Sequence, residues 1–208
     1  KIGAGVSIGK LVKYASGMGL GGCEFLTGIP GSVGGAVFMN AGVRGLEDPA
    51  KFLEIKDIIK DVEVLDLKDK KINIPAKKDI DFKYRSSGLD GKIILSARLG
   101  LKEGKKENIR ASIGAFNKKR EWLSKIGFPN AGSVFKNPAP DKPAGMFIDA
   151  CGLKGKRIGG AEISAAHANV IVNIGKAKAK DVLDLIDLAR TSVKQKFDID
   201  LELEITII

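Results

Sequence analysis

An α+β fold is what this sequence predicts, on three observations. In the first half, Ala36 to Asn40, Val62 to Leu67 and Ile93 to Leu99 are short apolar or alternating runs set between turn signals. That is the pattern of a mixed sheet with few helices. In the second half, apolar residues recur at helical spacing, at Ile109, Ile113, Phe116 and Leu123 and again at Val182, Leu185, Ile186, Ala189 and Val193. Strand-like runs such as Val170 to Val172 adjoin those helices, so a sheet packed against two or more helices is expected there. The change of character places a domain boundary near Gly100 to Glu107, dividing the chain into residues 1–100 and 101–208.

The elements follow in order. Ile2 to Val6 reads as a strand that hands over at Ser7, an N-cap candidate, to a short helix carrying Leu11, Val12 and Ala15. The helix stops in the glycines Gly17, Gly19, Gly21 and Gly22, and a loop leads past Phe25 to Gly28-Ile29-Pro30-Gly31-Ser32-Val33-Gly34-Gly35-Ala36. By spacing this segment is neither a Walker loop nor a G-x-G-x-x-G fingerprint. Its glycines can still expose backbone N–H groups to anionic oxygens, and the competing reading is a tight sheet corner. Tyr84-Arg85-Ser86-Ser87 lies in a polar stretch, where an arginine is ordinarily a surface residue. Asn130 to Pro138 reads N-A-G-S-V-F-K-N-P. A tight bend at Gly132 followed by pinned residues lets Ser133 point into a cavity, the bland reading being a surface turn. At the end of the chain Leu201, Leu203, Ile205 and Ile207 alternate with Glu202, Glu204 and Thr206, which predicts a strand with Glu204 turned away from its apolar face.

Composition narrows the function. A chain of 208 residues can bury a core, and its apolar fraction of 44% excludes general disorder. No apolar run approaches the roughly 20 residues of a bilayer span, and no signal-peptide pattern opens the chain, so a cytoplasmic protein without membrane contact is expected. Cys23 and Cys151 belong to no paired-spacing motif and read as buried thiols. His167 is the one histidine, which removes histidine-rich metal sites and the usual base of hydrolase triads; no metal site is predicted. Lys and Arg outnumber Asp and Glu by 35 to 25, in runs such as Lys68 to Lys71, Lys102 to Lys106 and Lys118-Lys119-Arg120. Most of this excess reads as solvated surface that also draws in anionic ligands. No nucleic-acid module or aromatic platform accompanies it, so nucleic acid is not an expected partner.

Together, Gly28 to Ala36, Tyr84 to Ser87, Asn130 to Pro138, Gly152-Leu153-Lys154-Gly155 and Leu201 to Glu204 resemble, in order and over almost the whole chain, the UDP-N-acetylenolpyruvoylglucosamine reductases. These are flavoenzymes that complete UDP-N-acetylmuramate in bacterial wall synthesis. The resemblance implies the C-terminal part of an FAD-binding domain of the PCMH/vanillyl-alcohol-oxidase type in residues 1–100, then an α+β substrate-binding domain in 101–208. It implies FAD as cofactor, NADPH as electron donor, UDP-N-acetylglucosamine enolpyruvate as substrate and a monomeric, cytoplasmic enzyme. Gly28, Pro30, Gly31, Ser32, Gly34, Gly35 and Ala36 would line the FAD site. Arg85, Ser133 and Glu204 would be catalytic; Asn137, Lys154 and His167 would lie near the substrate. For His167 a histidine satisfied by a backbone partner within Ala165 to Asn169 remains an equal reading.

These groups suit reduction of an electron-poor alkene attached to a carboxylate. Hydride would reach the terminal enol-ether carbon, Arg85 and Glu204 would hold and polarise the carboxylate, and Ser133 would protonate the other carbon. Three departures from the family pattern bear on this. Leu203 stands at a proline position. Ser124-Lys125 stands near the usual Gln-Pro pair. The glycine-rich subdomain that wraps the FAD pyrophosphate has no counterpart before Lys1, so a fragment with weakened flavin binding is expected. No insertion between Val43 and Asp81 is long enough for the extra substrate-covering loop of one subgroup. Two alternatives stay open: another FAD-dependent oxidoreductase of the same superfamily, and a non-catalytic sugar-nucleotide-binding fragment.

Overall fold

A computed structural model describes residues 1–48, 51–122 and 126–207. The chain divides into two compact units, Lys1–Arg120 and Glu121–Ile208.

In the first unit, β1 (Ile2–Gly3) leads through a turn to α1 (Ile8–Gly17). Ser7 caps α1 as expected, its Oγ accepting from the Lys10 N–H at 3.3 Å. Ile8, Leu11, Val12 and Ala15 form the buried stripe, and Gly19 leaves the helix at φ +69°. The strand expected to run to Val6 stops at Gly3. The Ala4 and Val6 carbonyls instead accept from the N–H groups of Gly34 and Val33. Next come β2 (Leu20–Gly21), α2 (Val33–Phe38), β3 (Gly42–Arg44), β4 (Phe52–Glu54), β5 (Ile59–Asp66), β6 (Ile72–Asn73), β7 (Lys92–Leu99), β8 (Lys102–Glu103) and α3 (Lys106–Lys119).

The run Ala36 to Asn40, expected as a strand, is largely the helix α2. Ser32 Oγ caps it by accepting from Gly35 N–H at 3.2 Å, so a local hydrogen bond outweighs the apolar alternation. The other two expected strands are β5 and β7, which pair with Val62 opposite Ala97 at the centre of the sheet β1-β7-β5-β6. Every pairing in that sheet is antiparallel rather than mixed. Along β5, buried Ile59, Val62 and Val64 are separated by more exposed residues, so one face of the sheet meets the core. β3 and β4 form a separate ribbon in which the backbones approach closely at Gly42, where a Cβ would collide with the Leu53 carbonyl oxygen.

The boundary expected near Gly100 to Glu107 lies after Arg120 instead. Phe116 of α3 is 5% exposed and joins the cluster formed by Leu11, Phe25, Leu26 and Val37, so the helix belongs to the first unit. Leu123, expected on the same helical face, and Ser124-Lys125 lie outside the described residues.

The second unit holds β9 (Asn130–Ser133), α4 (Ala144–Ala150), β10 (Arg157–Ile158), β11 (Ala161–Ile163), β12 (Val170–Asn173) and α5 (Ala179–Phe197). The antiparallel sheet runs β10-β11-β12-β9. Leu185, Ile186, Ala189 and Val193 of α5 bury against Ile148 of α4 and Ala161 and Ile163 of β11. The predicted C-terminal strand is not regular. Residues 201–207 make one bridge, Leu203 to Phe135, and Ile207 is 54% exposed. Only Leu201, Leu203 and Ile205 reach the core, because pairing is available along Val134 to Lys136 alone. Cys23 is buried and Cys151 half-buried; both are free thiols, and burial pushes the Cys23 thiol up to about 11. No helix among the described residues is long and apolar enough to cross a membrane.

Candidate active-site residues

In the first unit the loop Gly28 to Ala36 is fastened to the turn before α1. Val33 and Gly34 N–H donate to the Val6 and Ala4 carbonyls at 2.8 and 2.9 Å, and the Gly35 N–H is taken by Ser32 Oγ. These amides are therefore spent on structure. The approach for a ligand lies earlier in the loop. Gly28 and Gly31 adopt φ +74° and +104°, and Gly28, Pro30 and Gly31 are exposed. Nothing stands within 4 Å of where a Gly31 Cβ would be. Ser32 and Gly34 are half-buried and Ala36 is buried. Thr27, next to Gly28, is 8% exposed with its hydroxyl lacking a hydrogen-bond partner. An orphaned hydroxyl beside an open glycine turn fits a polar group that the polypeptide does not supply, as a flavin cofactor would.

Arg85 stands in the left-handed region at φ +56°, a conformation that costs a side-chain-bearing residue about 1–2 kcal/mol. The surroundings impose it. Lys83 and Ser86 exchange backbone hydrogen bonds around the turn, and Asn40, fully buried, donates from Nδ2 to the Lys83 carbonyl at 2.9 Å. The Arg85 guanidinium lies over the Tyr84 ring at 5.0 Å, and its Nη2 donates to the Gly42 carbonyl at 3.2 Å. Phe52 meets Tyr84 edge-on at 5.9 Å, and Arg44 lies over Phe52. The β3–β4 ribbon thus fixes where this guanidinium sits.

Arg120 was hidden from the sequence reading inside the basic run Lys118-Lys119-Arg120. It is the last residue of the first unit, and its Nη1 donates to the Gly28 carbonyl at 3.2 Å. Burial, and then the charge of Arg85, destabilise its cationic form. A half-buried guanidinium fastened to an exposed glycine turn, its cationic form opposed by burial and by the charge of Arg85, is chemically suited to an anion, which replaces lost hydration. The one sequence signal was position, at the end of the α3 pattern where helix meets loop.

In the second unit Asn130 Oδ1 accepts from the Gly132 N–H at 2.9 Å, and Gly132 takes φ +81°, the tight bend that the sequence predicts. Ser133, half-buried, ends β9 opposite Val170. Beyond it the Val134 N–H donates to the Asn169 carbonyl, and the Asn169 side chain brackets Phe135, accepting from its N–H at 2.9 Å and donating to its carbonyl at 2.8 Å. The Glu204 N–H donates to the Val134 carbonyl at 2.8 Å, which sets half-buried Glu204 on the strand-like segment beside Ser133, one position along. The Val134–Lys136 pairing thus puts Ser133 and Glu204, far apart in sequence, on neighbouring backbone segments.

The other three residues differ in what they have left to offer. Asn137 Oδ1 accepts from the Ala144 N–H that opens α4, at 3.1 Å, so a ligand would meet its amide nitrogen. Exposed Lys154 pairs with Asp149 at 2.6 Å. His167 accepts at Nδ1 from the Asn169 N–H at 3.3 Å, as the backbone-partner reading expects. Its ring stacks on Trp122 with centroids 4.4 Å apart. Burial, and then the charge of Lys154, lower its pKa from the ordinary histidine value. No group of three or more His, Cys, Asp or Glu among the described residues could hold a metal ion.

Comparison with known proteins agrees with this layout. Residues 124–208 match the family model described as UDP-N-acetylenolpyruvoylglucosamine reductase, C-terminal domain, which begins just inside the second compact unit. The UDP-N-acetylenolpyruvoylglucosamine reductase of Chloroherpeton thalassium is 45% identical over 217 residues, covering 99% of this chain and 66% of its own length. Reductase 1 of Bacillus cereus is 42% identical, covering 100% of this chain and 67% of its own length. The crystal structure of the Thermus caldophilus reductase (MurB) superposes with a TM-score of 0.80 at 40% identity, over 98% of this chain and 70% of that one. The class is therefore that of an α+β fold that carries a reductase-type C-terminal domain. The chain belongs to the UDP-N-acetylenolpyruvoylglucosamine reductase family, and it spans about two thirds of the length of the curated relatives it matches.

Proposed function

We propose that this chain carries the reducing and substrate-holding residues for conversion of UDP-N-acetylglucosamine enolpyruvate to UDP-N-acetylmuramate, with FAD as cofactor and NADPH as donor, in a cytoplasmic monomer. Residues 1–120 are then the flavin-binding part and 121–208 the substrate part, a division moved from the expected one by the packing of α3. The observation that carries the reading is Arg85 held in a left-handed backbone conformation against Gly42 and Tyr84, in the same unit as Arg120 at the Gly28 turn. The product of an enolpyruvyl reduction keeps a carboxylate throughout, and these guanidiniums match it in charge and planarity.

FAD, when bound, would supply the hydride, taken from NADPH, that the polypeptide cannot provide. Gly28, Pro30, Gly31, Ser32, Gly34, Gly35 and Ala36 would hold it, Gly28, Pro30 and Gly31 being exposed. Arg85 binds and orients the carboxylate. Glu204 also polarises it, and Ser133 Oγ donates the proton. A serine hydroxyl is a weak acid, so it serves here only because the carbanion or enol it meets is strongly basic. Asn137 Nδ2, Lys154 and His167 bind the sugar nucleotide.

The chain extended to the full length of its relatives, mixed with FAD and passed through gel filtration, is expected to retain a visible flavin spectrum that bleaches with NADPH and recovers on addition of UDP-N-acetylglucosamine enolpyruvate. A colourless protein that binds the sugar nucleotide would replace this proposal with a non-catalytic binding fragment. A flavin that bleaches and recovers only with some other oxidant would make the chain a different oxidoreductase.

A further inference from the structure

We infer that Trp122 is a positioning residue, its indole face holding His167 as a neutral ring with the proton on Nε2, ready to donate a hydrogen bond to the anionic part of the substrate. The inference rests on the sugar-nucleotide reading above and adds to it a residue that neither the sequence motifs nor the family pattern singled out.

The tautomer follows from one contact. The Asn169 backbone N–H can only donate, and it points at His167 Nδ1 at 3.3 Å, so Nδ1 carries a lone pair and the ring proton belongs to Nε2. Asn169 is itself fixed, being 3% exposed and bound through its side chain to both backbone groups of Phe135. The ring plane is set by Trp122, which stacks on it at 4.4 Å with the planes 23° apart. Trp122 is anchored in turn against Ile126, Val170 and Val172. On another side the ring lies against Gly145 of α4, where an added Cβ would meet Cε1 at 3.5 Å, an ordinary van der Waals contact. Imidazole is thus held by a donor at one nitrogen, an aromatic face and a glycine, with Nε2 as its remaining polar atom.

Protonation would break this arrangement, because imidazolium must give up the acceptor at Nδ1. Lys154, paired with Asp149, disfavours imidazolium, and Glu121 lies next to Trp122 in the chain; Gly145, Ser164 and Asn169 are uncharged. An indole face attracts a cation, yet burial is the larger influence here and favours the neutral ring. A neutral donor beside Lys154 suits a diphosphate, giving direction through Nε2–H while the lysine supplies charge.

The chain has one histidine and one tryptophan, so every signal is assigned without ambiguity. Ring-nitrogen NMR of the unliganded protein is expected to show a protonated Nε2 above pH 7 and a titration midpoint below the usual value of about 6.5. Trp122→Ala should raise that midpoint and mix the two tautomers, while Trp122→Phe, which keeps an aromatic face, should preserve both properties. Trp122→Leu fills the same apolar space without a ring face and serves where the alanine variant fails to fold. With UDP as the probe, the Nε2–H resonance should move on binding, and affinity should fall about tenfold in Trp122→Ala and Trp122→Leu but not in Trp122→Phe. An unchanged tautomer and midpoint without the indole would overturn the inference. So would UDP binding of undiminished strength in those variants, with the sugar-nucleotide reading left standing. Absence of UDP binding to the unaltered chain would remove both together.

Discussion

Ser133→Ala, made in the chain extended to the full length of its relatives and loaded with FAD, is expected to bleach normally with NADPH and to recover about 10²–10⁴ times more slowly with UDP-N-acetylglucosamine enolpyruvate, the usual worth of a positioned general acid. That factor corresponds to about 3–5 kcal/mol of barrier. The two half-reactions separate because Ser133 belongs to the second unit, at the end of β9, whereas the glycine turn and Arg85 belong to the first. Removing one hydroxyl at a half-buried strand end leaves the Val134 to Asn169 pairing intact, so the fold should be unaffected. Stopped-flow absorbance at the flavin band reads both phases. Recovery at the unaltered rate would take the proton-donor role away from Ser133.

Asn169→Ala should cost the second unit about 2–4 kcal/mol, measured by urea unfolding followed through Trp122 fluorescence. Its side chain does the work of a missing strand residue. Where β9 ends, the Asn169 amide takes over both backbone groups of Phe135, a residue 2% exposed, at 2.9 and 2.8 Å. Alanine would leave a buried N–H and a buried carbonyl unpaired, each with the full penalty of lost hydration. Asn169→Asp keeps the acceptor and loses the donor, and should be at least as damaging because it buries a charge. The effect should reach past stability. Phe135 lies between Ser133 and the Leu203 bridge that places Glu204, so catalysis should fall in both variants even where folding is restored by low temperature. A loss under about 0.5 kcal/mol, the range of an ordinary surface substitution, would show that the bracket is dispensable.

The parts of this molecule that local sequence determines were legible, and the parts made by distant contacts were not. α1 was readable because Ser7 and Gly17 mark its ends, and α5 because its apolar stripe holds for several turns. α2 was not, since Gly34 and Gly35 hide a helix whose cap is a single serine and whose partner is the Ala4–Val6 turn. The C-terminal alternation overstated its strand, because alternation promises two faces but cannot promise a neighbour to pair with. Among the site residues, Gly132 announced its bend through the Asn-Ala-Gly-Ser run. Arg85, by contrast, drew weight only from its resemblance to a family motif. Nothing in Tyr84-Arg85 foretells a left-handed arginine, which depends on Asn40 and Gly42 some forty positions earlier. Arg120, Trp122 and Asn169 were missed for the same reason, each acquiring its role from a partner remote in the chain.

The left-handed arginine also bears on how this protein can be improved. At φ +56° glycine would be the more comfortable residue. A library of variants sorted for folding or heat resistance alone would therefore drift toward glycine at position 85, discarding the guanidinium as it gained robustness. Any thermostabilising campaign on this scaffold has to couple its screen to ligand capture, or shield position 85 from mutation, because here the direction of greater durability and the direction of lost chemistry are the same.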